Sequence, residues 1–188
     1  MVDLNLYEPA DIIIYAESGD VVLKEKSLIA FDKTTNQVIV AGNEAEYADN
    51  RRDGTIVVMS PLRLGMVADF TVAEKMFRMF FMKAGIKPGK IRRKRVAVSV
   101  PSGATEVEKK AYQDLFYLIC NASEVLLTDM RITEFISKMP ETASKYKIMI
   151  EIAKDEPAAY VREILKKGIT CAKQAGMTME EVAEFLGV

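Results

Sequence analysis

The stretch VSVPSGATEVEKKA, Val98–Ala111, carries a glycine at a strand-to-helix turn, where many folds hold a phosphate. Backbone N–H groups and the positive end of the helix would supply the attraction. Ser102 and Gly103 are the residues placed to do it. Two features oppose that chemistry. Thr105 followed by Glu108 is a capping box, which takes up free N–H groups of the helix, and no lysine follows as in a P-loop. The turn therefore reads as a joint: Pro101 ends the strand, Gly103 relaxes the backbone and Thr105 starts the helix. A second chemical feature is the basic run KPGKIRRKR, with Lys87, Lys90, Arg92, Arg93, Lys94 and Arg95. It would suit an anionic partner such as a membrane surface or nucleic acid. No aromatic residue is interleaved for base stacking, so a solvated loop is expected and nucleic acid is not. The pairs Glu180–Glu181 and Glu106/Glu108 point apart or lie on surface positions, so no catalytic dyad is assigned. The chain has no histidine, which removes Ser-His-Asp and Cys-His catalysis and the commonest metal ligand. No metal site is predicted.

These residues sit in a chain of 188 residues, 49% hydrophobic and 28% charged, with net charge −1. That is enough for one domain with a real core plus an appendage, and it gives no global field toward nucleic acid or membrane. Cys120 and Cys171 lack metal or redox spacing and are expected to be buried thiols. The N-terminus shows no signal peptide, and no apolar run approaches the roughly 20 residues of a membrane span. A cytoplasmic protein is expected, with peripheral membrane contact as an option.

Ile12–Ala16, VVLKEKSLIAFD and VIVAG predict three antiparallel strands in a row. NEAEYADN reads as a short helix and TIVVMSP as a strand. From Asp69 the spacing of Phe70, Ala73, Met76, Phe77, Phe80, Phe81 and Ala84 predicts an amphipathic helix ending at Gly85. VAVSV is a short buried strand. The helix capped by Thr105 is expected to bury Val107, Ala111, Leu115 and Leu118, and SEVLLTD is a further strand. After about Arg131 the texture reads as helix only: ITEFISKM, ETASKYKIMIEIA, PAAYVREILKKGITCAKQAG and TMEEVAEFLGV, the last with a second capping box at Thr178 and Glu181. The last stretch resembles the opening helices of a helix-turn-helix, but no recognition helix follows it, so a packing helix is expected. The fold predicted is α/β, a mixed five-stranded sheet with helices over residues 1–130, followed by an all-helical extension over 131–188.

Several of these stretches resemble the bacterial actins of the MreB type. SPLRLGMVADFTVAEKMFRMFF is similar to that family's Pro-Leu-Arg-x-Gly turn leading through Ala-Asp-Phe into a long helix. VAVSVPSGATEVEKKA is similar to its Val-Pro-Ser-Gly-x-Thr-x-Val-Glu turn. SEVLLTD and GDVVLKEKSLIAFDKTTNQVIVAGNEA match a later strand and the early meander. The resemblance covers residues 11–129 and implies an RNase H/actin-like subdomain of the actin and DnaK-type ATPase fold. It implies that Asp11, Ser102, Gly103 and Asp129 stand near vestigial nucleotide positions. The family's first phosphate loop is an Asp-x-Gly-Thr type, yet LNLYEPAD precedes IIIYA here and puts Glu8 and Pro9 in its place. Proline has no N–H to offer. Where the family has a Glu-Glu-Pro turn after its later strand, this chain has Asp129, Met130 and Arg131. No Asp-x-Gly-Gly-Gly-Thr loop follows, and the length leaves no room for a second nucleotide-binding domain. The resemblance thus implies a non-catalytic binding or scaffold module in cell-shape or cytoskeletal organisation, with protein partners or self-association and no cofactor. One alternative is an ATP- and magnesium-dependent filament protein that completes its site between chains. Another is a nucleic-acid-binding regulator using the basic run.

Overall fold

The computed structural model describes residues 9–48, 55–86, 95–153 and Thr178. Its centre is a five-stranded sheet of β1 (Asp11–Ala16), β2 (Val21–Lys26), β8 (Arg95–Ser99), β9 (Glu124–Thr128) and β10 (Ile148–Ala153), in the order β2-β1-β10-β8-β9. β1 runs antiparallel to β2 and β10, whereas β10, β8 and β9 are mutually parallel. A smaller sheet joins β3 (Ile29–Asp32), β4 (Val38–Ala41) and β5 (Ile56–Met59) in the order β4-β3-β5, with a 3-10 turn at Asn43–Tyr47. The predicted row of three strands is corrected here. VVLKEKSLIAFD breaks at Ser27 and Leu28, so its halves enter different sheets. Ser27 is fully buried, and its N–H donates to Ala10 O at 2.8 Å. Its hydroxyl accepts from Ala10 N at 2.8 Å and hydrogen-bonds Ser60 Oγ at 3.0 Å. These bonds satisfy the polar groups where the chain crosses between sheets.

α1 (Phe70–Lys83) forms as its spacing predicts, with Asp69 accepting from Val72 N at 2.9 Å as the N-cap. It buries Ala73, Met76, Phe77, Phe80 and Phe81. α2 (Glu106–Cys120) forms as predicted but presents a different face. Tyr112, Leu115, Phe116, Ile119 and Cys120 are buried, while Val107 is 80% and Leu118 is 52% exposed. The aromatic rings decide this, because each removes far more apolar area from water than a valine does. Phe116 meets Phe77 edge-on with centroids 5.0 Å apart and stacks near Tyr112 at 6.2 Å. α1 and α2 pack with Ile12, Ile14, Val96, Val98, Ile148, Ile150 and Ile152 in the main core. The opposite face of the sheet, with Tyr15, Ala97 and Met149, packs with Phe135 of α3 (Ile132–Lys138), Ala143 of α4 (Pro140–Ala143) and Tyr146.

The largest correction concerns residues past Arg131. Sequence texture predicts helix throughout, and α3 agrees. From Glu141, however, helix lasts only to Ala143, and Ile148–Ala153 is the middle strand of the sheet. A division at residue 130 therefore separates that strand from its neighbours β1 and β8. The physical reason is burial on both faces: Ile148, Met149, Ile150, Glu151 and Ile152 are all buried, and a strand flanked and covered on all sides reads as a continuous apolar run with no alternation. The expected helices over 157–176 and 178–188 lie outside the described residues apart from Thr178, as does Cys171. Cys120 is buried in the core.

β6 (Leu62–Arg63) and β7 (Met66–Val67) form a tight hairpin through Leu64 and Gly65, with φ of 51° and 73°. Two positive φ values suit the I′ class of turn, which strongly favours glycine. A Cβ on Gly65 would stand 2.6 Å from Pro101 Cγ, and the Tyr112 hydroxyl donates to Gly65 O at 2.7 Å. Gly65→Ala is thus expected to destabilise the chain by about 2 kcal/mol, from left-handed strain and a ring that cannot rotate away. Urea unfolding of the variant checks this, and an unchanged midpoint would contradict the packing described.

Candidate functional site

The topology brings the four nucleotide-type candidates to one end of the sheet. Asp11 opens β1 opposite Ala153, the last residue of β10. Ser102 and Gly103 follow β8, and Asp129 follows β9. This is the carboxyl end of the parallel strands, where open α/β sheets bind their ligands. It does not make a compact site. Asp11 and Asp129 belong to strands separated by β10 and β8, a span of about 14 Å at the usual strand spacing.

The Val98–Ala111 turn has the strand end, the positive-φ glycine and the capped helix that its sequence predicts. Gly103 has φ of 81° and open space where a Cβ would go. Glu108 Oε2 accepts from Thr105 N at 2.8 Å, and Thr105 Oγ1 accepts from Glu108 N at 3.3 Å. The capping box is complete. Gly65 of the β6–β7 turn leaves no room for a Cβ between it and Pro101, and its carbonyl is held by Tyr112 of α2.

The segment before β1 carries the sharper test. Pro9 has no N–H, and the N–H of Ala10 is spent on Ser27 Oγ. β1 itself is paired on both edges, by β2 and by β10. A strand preceding β1 therefore has no open edge of β1 to pair with while β10 is in place. Residues 4–8 of that segment lie outside the described residues. Nearby, a groove of about 450 Å³ is lined by Asp11, Lys24, Glu25, Lys26, Asn43, Glu46 and Tyr47. Its charges are matched from within the protein: Lys24 with Asp11 at 3.9 Å, Lys26 with Glu46 at 2.8 Å, and Glu25 with Lys83 at 3.1 Å. The lining itself carries three carboxylates against two lysines, and Lys83 balances the third from outside it, so it offers no net positive charge to draw a polyphosphate. Among the described residues, no group of three or more Cys, Asp or Glu side chains could hold a metal ion.

Of the basic run, only Arg95 is described. It starts β8, so it lies at the end of the sheet opposite Asp11, Ser102, Gly103 and Asp129. Its Nε stands 3.0 Å from Glu124 Oε2, and Tyr146 donates to the same carboxylate at 2.8 Å. Burial, followed by the hydrogen bond to Glu124, pushes the Tyr146 hydroxyl up to about 12. Lys87, Lys90, Arg92, Arg93 and Lys94 lie outside the described residues. No helix among the described residues is long and apolar enough to cross a membrane.

Sequence reasoning missed Glu151. It stands on β10 with 4% exposure, the only charged residue buried among those described. Its carboxylate accepts from Ile132 N at 2.9 Å and from the Tyr15 hydroxyl at 3.5 Å, and faces Arg131 Nε at 3.5 Å. The Tyr15 hydroxyl is pushed up by burial and by that carboxylate. Arg131, at the N-cap of α3, provides no side-chain cap, so a residue on the sheet caps the helix instead. The available signal was one acid inside the apolar run IMIEIA.

This arrangement, a mixed sheet with helices on both faces and a small sheet branching from its second strand, is that of actin-like proteins. MreB5 of Spiroplasma citri bound to AMPPNP superposes with a TM-score of 0.58 at 25% identity, over 68% of this chain and 38% of that one. The MamK double helical filament shares the fold at 14% identity with a TM-score of 0.54. The family model described as MreB/Mbl protein matches residues 2–173, and the chain belongs to that family. It is 35% identical over 105 residues to the cell shape-determining protein Mbl of Bacillus subtilis strain 168, covering 56% of this chain and 31% of that protein. It is 31% identical over 150 residues to the cell shape-determining protein MreB of Haemophilus influenzae, covering 76% of this chain and 42% of that protein. The chain thus spans well under half the length of the curated relatives it matches.

Proposed function

We propose that the chain acts in cell-shape or cytoskeletal organisation as a binding or scaffold module that does not turn over ATP. Its partners would be proteins, including further copies of itself or other filament subunits. The observation that carries this reading is the occupied inner edge of β1. A phosphate loop of the family type needs free backbone N–H groups just before β1, and glycine to let a phosphate approach them. Here a proline, a committed N–H at Ala10 and the β10 ladder stand in that place.

Titration calorimetry with ATP and magnesium, paired with a phosphate-release assay, tests the reading. The expected result is no saturable heat at micromolar nucleotide and no phosphate above the buffer rate. Micromolar binding with steady phosphate release would overturn it. The rival reading is an ATP-dependent filament protein assembling its site between chains, and it draws on the nucleotide-bound MreB5 structures. Light scattering that rises on adding ATP would favour that rival, whereas scattering indifferent to nucleotide would support the scaffold.

A further inference from the structure

We draw no further inference here: the strongest candidate, the exposed flank of α2 that carries Val107 and Leu118 at the β9 side of the sheet, has nothing in the structure to show what covers it.

Discussion

An Ile150→Asp chain is expected to show no cooperative thermal transition and to be digested by protease at temperatures where the parent survives. Ile150 is fully buried and sits in register between Ile14 of β1 and Val98 of β8. An aspartate there would be a buried charge with no cation beside it, which costs about 4 kcal/mol or more. That is a large part of the roughly 5–15 kcal/mol that holds a typical domain together. The loss is also cooperative, because the strand joins two halves of the sheet. Without it, β1–β2 and β8–β9 each present an open edge to water and to other chains. If residues 141–153 were instead a surface helix, the same substitution would shift the melting temperature only slightly. A circular-dichroism melt distinguishes the two outcomes.

The second large effect separates two faces of one helix. Phe116→Ala is expected to cost about 3–5 kcal/mol, because it removes a ring from the centre of the core and leaves a cavity. In a chain of this size that corresponds to a fall of roughly 10 °C in Tm. Phe116 meets Phe77, Phe81 and Tyr112, so three further rings lose contact. Val107→Ala, by contrast, is expected to stay within about 0.5 kcal/mol of the parent, as exposed substitutions usually do. Equilibrium unfolding in urea reads both. Equal losses at the two positions would mean that α2 is rotated from the orientation described here.

That contrast also shows what the sequence made legible. The α1 stripe was readable because five large apolar residues recur at helical spacing with an aspartate cap in front and a glycine behind. The capping box of α2 was readable from Thr105 and Glu108 alone, since a cap is a local device. Its buried face was not. Val107, Ala111, Leu115 and Leu118 satisfy the periodicity as well as Tyr112, Leu115, Phe116 and Ile119 do, and tertiary packing chooses between them. β10 was hidden for a related reason. IMIEIA is short and, apart from Glu151, apolar without alternation, and such a run does not tell a buried strand from a helix segment. Its partners lie far away, with Ile14 opposite Ile150, so no local turn announces the pairing. The split between β2 and β3 turns on Ser27, whose hydroxyl bonds to a residue 17 positions earlier.

The candidate site was legible in composition and not in geometry. Asp11, Ser102, Gly103 and Asp129 lie at the same end of the sheet. Their separation follows from strand order, which is a property of long-range pairing. Glu151 had no motif to advertise it, and its role appears only once α3 is laid over β10.

The occupied inner edge of β1 depends on β10 lying between β1 and β8. Native-state hydrogen exchange at the amides of 148–152 addresses this most directly. Protection matching that of Val96–Val98 in β8, set by global unfolding, is the predicted result. Exchange at the rate of an exposed or fraying segment, with β8 still protected, would contradict the sheet described here and reopen the inner edge of β1 to another occupant.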